Sequence, residues 1–398
     1  MAHLHLALEL EGGLGRAGRL GALARTMLAR GHRVSLSLRD LGTTQHLLAD
    51  LSAPRFQSPV WQGHMAGMPP NEASLAEILL PQGYFELSGL CGLVQGWRST
   101  LAAVQADLVV ADYAPTALLA ARSLGLPAVA LGGGFACPPP SRSLPCLRDW
   151  EQIAPQRLAR AEAHVLNVAN AVLEHHKVAP LPCVAALLLG DAALLTTWPE
   201  LDPYGRTDAT IDWHGSIWQG REGSGAAPVW PAGDGPRVFA YLKHEHPSQA
   251  AVLSALVEAG CRVLCHMPET IPGGPPPVVD PAILYTSHPV ALDAVLAEAA
   301  LCVCHGGEAT LAQALLAGVP TLMLPMRLEQ FLLARRVEGW GGGINGARVL
   351  GDWAPALHAL LDDGRWRAAA QAFAGRHAGT TVAERVARVV RRLELRLS

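Results

Sequence analysis

Lysine is nearly absent from this chain. Only Lys177 and Lys243 stand among its 31 basic residues, and the rest are arginines. Such a bias accompanies GC-rich bacterial genomes and says nothing of function. Charge of either sign is scarce, at 16% of residues with a net of −3. No basic block or stripe occurs, which argues against nucleic acid as a partner. Half of the residues are apolar, yet no run of roughly 18 uncharged apolar residues is present, so the sequence offers no transmembrane helix. The eight cysteines include no C-x-x-C pair. Cys302 and Cys304 alternate on one expected strand and Cys261 and Cys265 flank another. They read as reduced core thiols, not as a zinc or disulfide framework. No metal-ligand cluster is visible. The opening MAHLHLALELEGG carries no basic leader and no small-residue cleavage site, and reads as a strand. A cytoplasmic protein with a core-rich α/β fold is expected.

At 398 residues the chain has room for two domains. Strand and helix patterns alternate twice. Strands are expected at 3–10, 33–38, 107–112, PAVALGG (127–133) and 192–198, with helices at 16–30 and 115–124. Residues 199–235, dense in Pro, Gly, Trp and Asp, read as a crossing with few regular elements. Strands follow at 237–242, 261–267, 282–286, 300–304 and 318–325, with helices near 247–259 and 308–317. Asp or Pro before an apolar run and Gly after a helix punctuate parallel α/β units, so both halves read as Rossmann-like. The last segment is an amphipathic helix whose Arg-rich face reads as solvated.

The stretch CHGGEATLAQALLAGVPTLMLPMRLEQ, 304–330, concentrates the chemistry. A strand ends at His305, a Gly306-Gly307 turn follows, and a helix begins at about Glu308. Helix N-termini present unpaired N–H groups and partial positive charge, and paired glycines admit a ligand close to the backbone. A His there can donate to a phosphate oxygen, and Thr310 adds a hydroxyl. The next strand ends before Glu329 and Gln330, a carboxylate and an amide suited to paired sugar hydroxyls.

His305-Gly306-Gly307, Thr310, Ala314-Leu315, Gly318-Val319-Pro320, Pro325 and Glu329-Gln330 resemble the C-domain signature of the UDP-glycosyltransferase-like superfamily, bacterial type. The resemblance is strong over 284–345 and weaker elsewhere. It implies a GT-B fold, two Rossmann-like domains facing an interdomain cleft: an acceptor domain at 1–212, a nucleotide-sugar domain at 213–378, and a helix at 379–398 crossing back to the first. It implies an inverting glycosyltransferase that needs no cofactor or bound metal, with a nucleotide-sugar donor and a small, apolar or lipid-like acceptor. His305 would contact the diphosphate and Gly307, Glu308 and Thr310 would line it. Backbone at His288, Pro289 and Val290 would meet the base, and Glu329 and Gln330 would hold the sugar. Gln313 replaces a customary Glu that grips both ribose hydroxyls, which opens dTDP beside UDP. YLKHEH (241–246) replaces a Gly-Ser phosphate loop, and Lys243 could bring charge to the diphosphate.

The first loop, EGGLGRAG (11–18), holds Gly13-x-Gly15-x-x-Gly18 between strand and helix, with Asp40 after the second strand. This is the dinucleotide fingerprint, and supports an NAD(P)-dependent oxidoreductase as a further alternative. No Tyr-x-x-x-Lys pair accompanies it. By the resemblance, the same loop faces the acceptor and should carry a His as general base. Arg16 stands there, and arginine cannot take a proton near neutral pH. Asp112 matches the residue that orients the missing His. Three readings stay open: Asp112 is the base with Arg16 beside it; Glu11, His3 or His5 serves; or the protein binds a nucleotide sugar without turnover, as an accessory. Asp112 also fits a plain helix N-cap. Trp61, Met65, Met68, Phe85 and Phe135 suit an apolar acceptor or merely pack on their own domain.

Overall fold

The computed structural model describes residues 1–11, 13–218, 228–268 and 275–397. The chain divides into two units, Met1–Gln219 with Val382–Ser398, and Gly220–Thr381. Each is built on a six-stranded, wholly parallel sheet.

The first sheet contains β1 (His3–Leu8), β2 (Arg33–Leu38), β3 (Arg55–Gln57), β4 (Leu108–Asp112), β5 (Ala128–Gly132) and β6 (Ala192–Leu195), ordered β3-β2-β1-β4-β5-β6. The second contains β7 (Arg237–Tyr241), β8 (Arg262–His266), β9 (Ile283–Thr286), β10 (Leu301–Cys304), β11 (Thr321–Met323) and β12 (Gly343–Asn345), ordered β12-β11-β10-β7-β8-β9. Both follow the doubly wound plan. The chain leaves the sheet centre first one way and then the other, so the loops after the two central strands splay apart at a switch point, where such sheets take ligands. In the first unit those strands are β1 and β4, and in the second β7 and β10.

The two faces of β1 differ. Leu4, Leu6 and Leu8 point into a core closed by Leu20, Leu23 and Met27 of the Leu14–Ala29 helix and by Val386, Val389, Val390 and Leu393 of the C-terminal helix, Val382–Glu394. That last helix is fastened within the first unit by Arg385 Nε donating to Ser216 O (2.8 Å) and Arg392 to Asp212 (2.6 Å). The opposite face of β1 is polar. His3 Nε2 and His5 Nδ1 share the Ser35 hydroxyl at 2.9 Å, and His5 Nε2 meets Ser37 at 2.9 Å. Burial pushes His5 down to about 3, so it stays neutral and bonded to serines.

Several elements were not expected. Helices run from Leu87 to Val104 and from Pro155 to His175. The first holds Gly89, Gly92 and Gly96, which lower helix propensity and hid it. Two of these glycines have a packing reason: a Cβ on Gly89 would lie 2.5 Å from the Trp61 ring, and one on Gly96 would lie 3.0 Å from Pro59. Trp61 thus packs on its own domain. The segment read as strand 318–325 is strand only over Thr321–Met323. Of the 199–235 crossing, 219–227 lie outside the described residues; the rest holds a short 3-10 turn at Pro199–Leu201 and one bridge to Leu195. Among the described residues no helix is long and apolar enough to cross a membrane.

The first and last glycines of the dinucleotide-type fingerprint differ in what they need. Gly13 has an ordinary φ of −68° as the N-cap of the first helix, and a Cβ there would meet nothing within 4 Å. Gly18 is required because a Cβ would come within 2.5 Å of the Trp218 indole nitrogen. Asp40 caps the next short helix by accepting from Thr43 N at 3.1 Å. Gly18→Val should therefore lower stability by about 1–3 kcal/mol through overpacking, read as a shift in the urea midpoint at unchanged slope.

Candidate functional site

In the first unit the switch-point loops carry one carboxylate between two guanidiniums. Asp112, the last residue of β4, is fully buried. Arg16 Nη1 donates to its Oδ1 at 3.0 Å and Arg19 Nε to its Oδ2 at 2.8 Å. Arg16 and Arg19 are three residues apart on the first helix, so they share a face. Arg19 also donates to Thr196 Oγ1 at 3.0 Å, just past β6. Asp112 is not an N-cap: the Pro115–Leu124 helix is capped by Ala114 with no side-chain bond. Its role as base is not favoured either, because each oxygen already accepts a charge-assisted hydrogen bond. Sequence reading passed over Arg19, although its i, i+3 spacing from Arg16 was a signal in plain view.

Arg16 does more than hold Asp112. Its guanidinium lies 5.0 Å from the Tyr113 ring centroid, and Nη2 is 3.7 Å from Glu11 Oε2. Glu11 and Tyr113 both adopt positive φ, at 58° and 52°. That conformation costs a non-glycine residue roughly 1–3 kcal/mol and clusters at functional sites. The two loops are tied by Leu10 N donating to Tyr113 O at 3.0 Å. Phe135 is buried with its ring edge-on to Tyr113, while Phe85 stays 53% exposed.

A second carboxylate escaped sequence reading. Glu9 is 1% exposed and accepts from Thr116 N at 2.8 Å, at the start of the 115–124 helix. Burial pushes its carboxyl up to about 7, against the lowering effect of Thr116, Ala117 and Arg39.

In the second unit, β10 delivers His305 to the switch point. Its ring is engaged on both sides: Lys243 N donates to Nε2 at 2.8 Å, and Nδ1 lies 2.9 Å from Leu324 O. Nε2 must then be the acceptor, which places the ring proton on Nδ1. The proton expected for a phosphate oxygen goes instead to the Leu324 carbonyl, and His305 braces the loops after β7 and β11. Gly306 has φ +74°, and a Cβ there would sit 3.3 Å from Gln330 O. Gly307 is the N-cap of the Glu308–Leu316 helix and supplies no side-chain bond. Thr310 and Glu308 lie half-buried in its first turn. Gln313 donates its amide back to Ala309 O at 3.0 Å. Gln330 Oε1 accepts from Met326 N at 2.9 Å, beside half-buried Glu329. His288, Pro289 and Val290 follow β9, pinned by the Thr286 hydroxyl to His288 N and O. Lys243 is half-buried, and the His246 ring is 5.5 Å from that of His305. Among the described residues no group of His, Cys, Asp or Glu is placed to hold a metal ion.

Known proteins resemble this chain in sequence and in fold. Residues 251–393 match the family described as Erythromycin biosynthesis protein CIII-like, C-terminal domain. The chain is 27% identical over 289 residues to a PGL/p-HBAD biosynthesis rhamnosyltransferase of Mycobacterium bovis (strain BCG / Pasteur 1173P2), a match covering 67% of this chain and 62% of that protein. The match therefore spans less than two thirds of the relative's length. Among solved structures, the glycotransferase of kitacinnamycin superposes with a TM-score of 0.72 at 19% identity, covering 100% of this chain and 99% of that one. The spinosyn rhamnosyltransferase SpnG complexed with thymidine diphosphate gives 0.68 at 21%, covering 99% and 100%. These likenesses identify the fold as GT-B.

Two outcomes follow from the buried charges. Asp112→Ala should cost roughly 3–5 kcal/mol in urea unfolding, since it leaves two buried guanidiniums without their shared counter-ion. The folded chain holds the Glu9 proton to about 7 while the unfolded chain releases it near 4.5. Folded stability should therefore fall by about 3 kcal/mol as pH rises through that window. In Glu9→Gln that decline should vanish, so its stability relative to wild type should rise from about pH 5 and level off above about pH 7.

Proposed function

We propose a reaction for this chain, which belongs to the UDP-glycosyltransferase-like superfamily of GT-B proteins: transfer of a sugar from a nucleoside diphosphate to a hydroxyl of a small, apolar acceptor, with inversion at the anomeric carbon. The observation that carries the reading is the turn after β10. Gly306 holds a left-handed conformation and the 308–316 helix begins at Gly307 without a side-chain cap, so an anion approaching the turn would meet the partial positive charge of a helix N-terminus. The leaving diphosphate would sit there, with Lys243 adding charge and His305 holding the loops in place. Glu308 and Thr310 would line the same turn. The base would lie along His288, Pro289 and Val290, and the sugar against Glu329 and Gln330. Fixed N–H donors stabilise the charge that develops on the departing diphosphate.

Thymidine diphosphate is the favoured carrier. Gln313 spends an amide N–H on Ala309, which leaves its oxygen as a partner for the single 3′-hydroxyl of a deoxyribose. The first unit would hold the acceptor at the loops after β1 and β4. The double clamp on Asp112 favours a second reading, nucleotide-sugar binding without transfer, which turnover separates from the first.

Calorimetry with dTDP, UDP and NADH tests the donor half. dTDP should bind about tenfold more tightly than UDP, a difference near one hydrogen bond. Lys243→Met should weaken dTDP by a similar factor without moving the melting temperature. Silence for both nucleotides, or NADH binding indifferent to Lys243, would sink the reading.

A further inference from the structure

We propose that His246 donates its Nε2–H to an oxygen of the nucleotide's diphosphate, supplying the side-chain proton that His305 turns away; this rests on the transferase reading above. His305 accepts from Lys243 N through Nε2 and directs its own proton to Leu324 O. A phosphate oxygen only accepts, so a neutral ring in that state has no proton to give it. The fold sets a second imidazole beside the first. The His246 ring lies 5.5 Å from that of His305, tilted by 35°, and both residues belong to the second unit.

The turn after β7 holds that ring in place. His246 N donates to Lys243 O at 3.2 Å while Lys243 N holds the His305 ring, so one turn carries Lys243 and His246 to the side of His305. Ser248 N donates to His246 Nδ1 at 3.1 Å. Nδ1 is therefore the acceptor, and the neutral ring carries its proton on Nε2, at the other edge from that bond. Burial holds the ring's pKa below its usual value, which keeps it neutral near pH 7. Among the described residues this Nε2–H meets no acceptor. An N–H on a residue only 9% exposed is left for an acceptor that the chain does not provide. The Gly306-Gly307 turn follows His305 directly and opens the Glu308–Leu316 helix, whose N-terminal charge favours an anion at the same place.

A plainer role competes with this one, support of the next helix. His246 accepts from the N–H two residues on, as an Asx-turn asparagine does, just ahead of the Gln249–Glu258 helix. The two roles use different nitrogens and can be separated. Asparagine reproduces the acceptor at the Nδ1 position and lacks the Nε2 donor. Glutamine reaches the Nε2 position with an amide N–H and gives up the acceptor for Ser248 N.

Calorimetry of the intact protein with dTDP and UDP, beside thermal melts, reads the difference. His246→Asn should bind dTDP about tenfold more weakly than wild type, at an unchanged melting temperature. UDP should weaken by the same factor, because the diphosphate is common to both. His246→Gln should hold dTDP within about threefold of wild type while melting at a lower temperature. An asparagine variant that binds dTDP as wild type does leaves His246 a helix support and overturns the proposal. So does a glutamine variant that loses as much as the asparagine one, or an asparagine loss that comes with a lower melting temperature. In each of these cases wild-type dTDP binding leaves the transferase reading standing. A wild type that binds neither nucleotide sinks that reading, and this proposal with it.

Discussion

A carboxylate with no exposure to water, gripped by two arginines of one helix, orders the carboxyl edge of the first sheet. Removing Asp112 from water is costly and is offset only because Arg16 and Arg19 arrive with good geometry. Their arrival ties the first helix to β4, and Arg19 extends the tie past β6 through Thr196. Arg16 extends it to the two strained residues, Glu11 and Tyr113. The local strain at those residues persists because this network over-determines it.

The second unit solves the same problem with a neutral ring. His305 accepts from Lys243 N and faces Leu324 O, so the loops after β7, β10 and β11 are spaced by one imidazole. The helix that begins at Glu308 then presents its N-terminus at a fixed position. Two sheets of one topology thus place contrasting electrostatics at equivalent switch points: a balanced ion cluster in one, and aligned backbone dipoles with a lysine in the other.

The legible parts were those governed by local pattern. The strand at 33–38 and the helix at 115–124 were read to the residue, because apolar runs and Pro or Gly punctuation act over a few neighbours. His305-Gly306-Gly307 was readable for the same reason. The Leu87–Val104 helix was not, since its glycines argue against helix until Trp61 and Pro59 are seen filling the spaces they leave. Gly18 misled in the opposite sense: its place in a nucleotide fingerprint was real, but its reason is Trp218, some 200 residues away in the sequence.

Sequence alone determined that this chain folds as two parallel α/β halves and that a glycine turn leads from β10 into a helix, because strand periodicity, helix punctuation and glycine spacing are short-range properties. Only tertiary structure decided what the ionisable groups do. It bound Asp112 between two arginines, turned the His305 proton toward a carbonyl, buried Glu9 until its carboxyl titrates near neutrality, and left Glu11 reaching water. The state of a charge depends on which distant groups surround it and how much water is excluded, and neither is written in the order of its neighbours.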